Sequence, residues 1–407
     1  MLKLPIYLDN NATTKMDPRV LEAMNPYFLE HYGNAASRSH SFGWEAEEAV
    51  EYAREQVAQL IGAEPKEIIF TSGATESDNL ALKGVFETYL SKGNHIITVA
   101  TEHKAVLDSC IHLEKLGAEI TYLGVNHQGL IDIEELHKAM KPTTILIAIM
   151  YANNEIGVIQ PIREIGAIAK KKGILFFSDA TQAVGKIPVN VIKDEIDLMA
   201  FSAHKIYGPK GAGALYVRRK NPRLKLTAQI DGGGHERGMR SGTLNVPGIV
   251  GFGKACELCR IELMKDAERI KNLRNKLEAE LLNMEEVFLN GSSENRLPNT
   301  SNLSFNYTES EGLILGINKN IAVSSGSACT SATLEPSYVL KAIGVKDDFA
   351  KAAIRFGLSR FTTEAEIDYA ADQVKATVSK LRESSLRWQN RKNANFSKNV
   401  NKPLRSK

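Results

Sequence analysis

The chain has 407 residues, 43% of them apolar, and carries 51 Lys and Arg against 48 Asp and Glu, a formal charge of +3. That length exceeds what one hydrophobic core usually serves, so two domains are expected, and the apolar content is ample to bury both. Four cysteines in so long a chain give no disulfide framework, and no apolar run is long enough to cross a bilayer.

In chain order, Met1 to Asp9 enters strand-like sequence at once, with neither a signal-peptide core nor an Arg-rich transit segment, which points to the cytoplasm. From about Glu45 to Phe201 apolar strand-like runs follow one another: Ile68 to Thr71, Ile96 to Ala100, Ile120 to Leu123, Ile145 to Met150, Ile174 to Ser178 and Asp197 to Phe201. Between them lie stretches such as Ala46 to Ile61 and Ile162 to Lys172, whose apolar residues recur three and four apart. The alternation predicts an α/β fold, a mostly parallel sheet wrapped by helices, with ligands at the carboxyl ends of the strands.

After Val246 the texture changes to a long helical stretch, Ile249 to Asn283, then an α+β region and a last helix from Glu364 to Arg382. Cys256 and Cys259 fall in the long helix and read as half-buried thiols rather than a metal pair, since no second Cys/His pair lies nearby. The simplest partition is a large α/β domain over 15–260, a smaller α+β domain made of 1–14 and 261–383, and a tail, 384–407. The tail holds seven basic residues and no acidic one, so the rest of the chain is mildly acidic, 44 basic residues against 48. Such a tail is expected to be flexible and solubilising, with docking to an acidic partner or to RNA as the sharper reading.

Chemistry-bearing residues recur where the strands end. Ser72-Gly73-Ala74-Thr75-Glu76-Ser77 opens a helix after Ile68–Thr71 and reads either as an anion cradle suited to phosphate or as an ordinary capped helix. His103 in Thr101-Glu102-His103-Lys104 is a stacking ring, a proton carrier or a loop residue, and Asn154 can donate and accept. Asp179 closes the very apolar Ile174–Ser178 run, where a carboxylate needs a cationic partner or caps the next turn. Lys205, in Ser202-Ala203-His204-Lys205, stands before the close-approach segment Gly208 to Gly213.

An anion cradle, an Asp, a His, an Asn and a Lys on successive strand ends of one sheet form the set that pyridoxal phosphate requires. Cys329 lies in a run of small residues, Val323 to Thr333, suited to a mobile loop and so to a nucleophile that travels, or else is an ordinary small residue in a Ser-rich turn. Arg355, flanked by apolar residues, needs a fixed partner, either a substrate carboxylate or a structural salt bridge.

With these residues in view the chain closely resembles the IscS-type cysteine desulfurases, pyridoxal-phosphate-dependent enzymes of the class V aminotransferase-like group. The resemblance runs from about Leu4 to Leu381 and is carried by Leu8 to Thr14, Thr71 to Asn79, Thr101 to Lys104, Asn153 to Gly157, Asp179 to Gln182, Ser202 to Pro209, Gly232 to Thr243 and Ser324 to Val339. It implies a fold-type I transferase with the cofactor covalently on Lys205, its pyridine nitrogen on Asp179, His103 stacked on the ring and Gln182 on the ring hydroxyl. Ala74, Thr75, Ser202, Ala203 and His204 would line the phosphate site, and Thr243 would reach the phosphate of a neighbouring subunit in a homodimer. Asn154 and Arg355 would orient the substrate, L-cysteine.

By the same resemblance Cys329 would take the sulfur as a persulfide, leaving L-alanine, and pass it to acceptors for iron-sulfur cluster assembly and tRNA thiolation, an iron-sulfur scaffold protein among them. Cys329 is also a candidate shared iron-sulfur ligand with that scaffold. No direct nucleic-acid or membrane binding is expected. Lys15 and Ala35 stand where many relatives have proline, Ala203 where glycine is frequent, and the tail after Ser384 diverges from the family's docking segment. Selenocysteine lyase or cysteine sulfinate desulfinase activity on the same fold, and a catalytically idle partner-binding scaffold, are the competing readings.

Overall fold

The computed structural model describes residues 2–220, 223–325 and 336–400, the last seven of these by backbone alone. Seven strands make the main sheet: β1 (Ile68–Thr71), β2 (His95–Val99), β3 (Glu119–Leu123), β4 (Thr144–Ala148), β5 (Leu175–Asp179), β6 (Leu198–Ser202) and β7 (Gly213–Val217). Their order is β1-β7-β6-β5-β4-β2-β3. All run parallel except β7, which lies antiparallel between β1 and β6.

Six strands fall within a residue or two of the apolar runs in the sequence. The seventh, β7, was not foreseen. About ten residues separate Ser202 from Gly213, too few for the crossover that a parallel neighbour needs, so the chain returns antiparallel. Gly213 also sits where a Cβ would lie 2.6 Å from the Cα of Gly73, so the side-chain-free residue is what lets this strand abut the turn after β1.

Side chains alternate across the sheet as the pleat requires. Ile68, Phe176, Met199 and Phe201 face one apolar layer, packed by the helices Ser41–Ile61, Ile162–Lys172 and the start of Val246–Leu282. Ile69, Phe177, Leu198 and Ala200 face the other, packed by Ala74–Tyr89 and Lys104–Glu114. Ser41–Ile61 and Ile162–Lys172 both stop at a left-handed glycine, Gly62 and Gly173, whose N–H closes on the last turn.

A second apolar core gathers Leu277, Leu281, Leu303, Phe305, Phe356, Ile367 and Val374 around an antiparallel sheet of Val287–Leu289, Thr300–Phe305, Ser324–Ser325 and Ala353–Gly357. The helix Glu364–Glu383 covers it and starts on a capping box formed by Thr363 and Glu366. The helix Val246–Leu282 serves both cores, with Phe252, Cys256 and Cys259 in the first and Leu273, Leu277 and Leu281 in the second. The two thiols are thus fully buried rather than half-buried.

The amino terminus crosses between the two sheets. Ile6–Tyr7 pairs parallel with Ile321–Ala322, Asp9 bridges to Gly357, and Thr14 then docks by its N–H and Oγ1 on the carbonyl of His204.

The start of the tail departs from the flexible segment expected. Leu386–Val400 is helical, and Trp388 is buried against Tyr307 between the guanidinium groups of Arg382 and Arg391. Arg391 pairs with Glu285 and Glu286. A composition count sees only the tail's charge, whereas one aromatic ring and two acidic partners far back in the chain give this stretch something to fold against. Residues 401–407 lie outside the described part.

Candidate active site

The carboxyl ends of β1, β2, β5 and β6 open on the same edge of the sheet and deliver most of the expected residues there. After β1 the helix Ala74–Tyr89 begins at Gly73 without any side-chain cap, so its first N–H groups and the positive end of its dipole stay available to an anion. Ser202, at the end of β6, lies alongside: its Oγ would be 3.7 Å from a Cβ on Gly73 and donates a long bond, 3.3 Å, to the Ala212 carbonyl.

His103 caps the helix that follows β2, its Nδ1 accepting from the Ala105 N–H at 3.2 Å, which leaves Nε2 as the protonated nitrogen of the neutral ring. Burial lowers its pKa, Asp179 opposes that shift and Lys205 adds to it, so the ring stays neutral at neutral pH. Asp179 is buried at the end of β5, with Oδ1 accepting from the Thr181 N–H at 2.9 Å. Two further carboxyls lie behind it. Burial, then the charges of Asp179 and Glu102, push Asp78 well above the carboxylate range. Burial pushes Glu102 up as well, against a hydrogen bond from the Met150 N–H. Both acids favour their neutral form, which spares Asp179 two adjoining negative charges.

Lys205 Nζ donates to the carbonyls of Asn11 at 2.5 Å and Ala12 at 2.7 Å. His204 turns the other way, Nδ1 3.1 Å from Thr13 Oγ1, its pKa pulled down to about 4 by burial and by Lys205, Lys210 and Lys186. Gln182 is buried, donating from Nε2 to the Asn11 carbonyl at 2.9 Å and accepting at Oε1 from Lys186.

Asn154 presents a buried Oδ1 with no hydrogen-bond partner among the described residues, while its backbone carbonyl accepts from Asn11 Nδ2 and from Arg355. Arg355 comes from the second sheet, pairs with Asp9 at 2.7 Å and keeps a buried Nε that has no hydrogen-bond partner among the described residues. The pair with Asp9 is one of the two kinds of partner open to it from sequence.

Two expected residues stand apart. Thr243 is exposed, and among the described residues no hydrogen bond joins it to the others. Cys329 lies outside the described residues, as does all of 326–335. The flanks of that segment are nonetheless fixed at the site: Ser324 is the register partner of Arg355, Ser337 Oγ donates to Glu155 at 2.5 Å, and Tyr338 Oη donates to the Glu102 carbonyl at 2.6 Å.

Three residues of the site were missed in the sequence. Asn11 is the hub: its carbonyl serves both Gln182 and Lys205, and its side chain ties Asn154 to Thr300 and Asn299 of the second sheet. Asp9 and Lys186 are the others. No periodicity marks them, because their partners lie up to 346 residues away; only the polar Asp9-Asn10-Asn11 directly after an apolar strand hinted at a buried polar cluster.

Comparison with known proteins agrees with this geometry. The class-V aminotransferase family model matches residues 6–370. Cysteine desulfurase IscS of Klebsiella pneumoniae is 57% identical over 95% of this chain and 96% of its own length, and IscS of Escherichia coli 56% over the same shares. Among solved structures, a NifS-like protein superposes with a TM-score of 0.87 at 42% identity, covering 92% of this chain and 100% of its own. SspA in complex with cysteine gives 0.78 at 36%, covering 88% and 100%. With its sheet order, its strand-end residues and these likenesses in agreement, the chain belongs to the class-V aminotransferase family.

Proposed function

We propose that the protein is a pyridoxal-phosphate-dependent cysteine desulfurase, converting L-cysteine to L-alanine and carrying the sulfur away as a persulfide on Cys329. The observation that carries this reading is the convergence of Lys205, Asp179, His103 and an uncapped helix start on one sheet edge, beneath the fixed flanks of the Cys329 segment.

The residues present fit the cofactor. The free N–H groups at Ala74 and Thr75, with Ser202 beside them, suit its phosphate, while His204, turned toward Thr13, would have to swing to join them; Asp179 suits a protonated pyridine nitrogen, and Gln182 suits the ring hydroxyl. Bound there, pyridoxal phosphate supplies an electron sink for the carbanion that develops at the substrate's α carbon. Lys205 leaves the carbonyls of Asn11 and Ala12 to hold the cofactor and to carry the α proton, and neutral His103 assists at the ring face. Arg355 grips the substrate carboxylate with its unsatisfied Nε as the spare donor, and Asn154 Oδ1 receives the amine.

Cys329, as thiolate, attacks the substrate sulfur: the S–S bond forms as the C–S bond breaks, and the electron pair left on carbon is protonated to give alanine. Sulfur then passes to acceptors, among which an iron-sulfur scaffold protein fits the likeness to IscS. Exposed Thr243 suits contact with a second copy of the chain. Among the described residues no helix is long and apolar enough to cross a membrane, in keeping with a cytoplasmic site of action.

The test is alanine and sulfide release from L-cysteine with a thiol reductant. Wild type should release both in equal amounts and Cys329→Ala neither. Turnover that survives in Cys329→Ala would favour a lyase or desulfinase on this fold, and a chain that binds no cofactor would favour an idle scaffold.

A further inference from the structure

Lys186 has no place in the chemistry above, yet it is buried beside it. Its Nζ donates to Gln182 Oε1 four residues back, and the opposite end of that amide donates from Nε2 to the Asn11 carbonyl, on which Lys205 Nζ also converges. A backbone carbonyl only accepts, so Nε2 must be the end that points to Asn11; Oε1 is then a buried acceptor that needs a donor, and Lys186 supplies it.

We propose that Lys186 is a positioning residue for Gln182, locking the amide so that its N–H end alone is offered to the bound cofactor's ring oxygen. This rests on the function proposed above. The surroundings support a donor rather than an ion-pair role. Lys205 and Arg355 are the charges that act on Lys186, with the Cys259 thiol nearby. Tyr207 and Asp266 line the same small cavity, and Asp266 is already taken by Arg360 at 3.1 Å. Burial, then those two cations, lower the pKa of the Lys186 amine, and as amine or as ammonium it keeps an N–H to give to the amide oxygen. An amide held to donate favours the anionic ring oxygen, and therefore lowers the pH at which the visible absorption of the bound cofactor titrates.

The experiment loads wild type, Lys186→Met, Gln182→Ala and the double variant with pyridoxal phosphate and titrates that absorption. Each single variant should raise the titration point by about one pH unit, the effect of one hydrogen bond to a charged acceptor, and the double variant should move no further than Gln182→Ala. Should Lys186→Met not fold, Gln182→Glu reads the same contact from the other end. Carbon NMR of the Lys186 ε position should then show the amine titrating at higher pH in the variant than in wild type. Cofactor bound but titrating unchanged in Lys186→Met, shifts that add in the double variant, or a Lys186 titration that Gln182→Glu leaves where it is in wild type, each overturn this inference alone. A wild-type chain that takes up no pyridoxal phosphate overturns the function on which it rests.

Discussion

Two buried arginines show how the molecule treats structure and site differently. Arg54 is saturated: Nε meets Glu51, the two terminal nitrogens meet Glu236 at 2.8 Å each, one of them also reaches the Ile68 carbonyl, and the plane lies over Phe70. Glu236 is shared further with the Phe70 N–H at 2.7 Å, which staples the 232–243 loop to β1. Arg355, equally buried, has Asp9 and one carbonyl, and an Nε that meets no acceptor among the described residues. A fully paired guanidinium has only a fold to hold; an incompletely paired one retains capacity for a ligand.

Breaking the saturated pair should have the largest effect on stability. Glu236→Ala leaves the Arg54 charge buried, which costs about 3–5 kcal/mol; chemical denaturation should show the loss while turnover per folded molecule holds. An unchanged midpoint would show that water reaches Arg54. The converse change, Arg355→Ala, should lower kcat/KM for L-cysteine about 10²-fold through KM, the worth of one charge-assisted pair, with little change in stability because Asp9 is partly exposed and can be hydrated. A stability loss without a KM effect would move Arg355 into the class of Arg54.

The smallest effect concerns His204. Its folded pKa, about 4, lies below the ordinary 6.5, so between those values the unfolded chain binds the extra proton. Stability of the cofactor-free protein should be full above about pH 6.5 and fall as the pH drops toward 4, and His204→Gln should flatten that slope. The same slope in the variant would assign it to other groups.

Much of this was legible in the residues and some was not, for reasons that differ by place. The parallel strands announced themselves because both faces of the sheet are buried, which makes each an unbroken apolar run, Phe176 and Phe177 pointing opposite ways. The helices Ile162–Lys172 and Glu364–Glu383 followed from the spacing of their apolar residues almost to the residue. β7 was hidden because Gly208 to Gly213 reads as a turn and nothing local says the chain comes back. Lys205, Asp179 and His103 were visible because strand ends are where a parallel sheet puts its ligands. Asn11, Asp9 and Lys186 were not, since their meaning lies in partners brought together only by the crossing of the amino terminus between the two sheets. The helix around Trp388 was obscured by its own charge.

The carbonyl oxygens of Asn11 and Ala12, where the Lys205 amine rests, belong to the main chain. No side-chain replacement at those two positions deletes them. Substitutions along residues 9–14 therefore reach this berth only indirectly, through side-chain ties such as those of Asn11, whereas an atom-level edit, an ester in place of the amide that follows Asn11, would weaken its grip on the lysine directly.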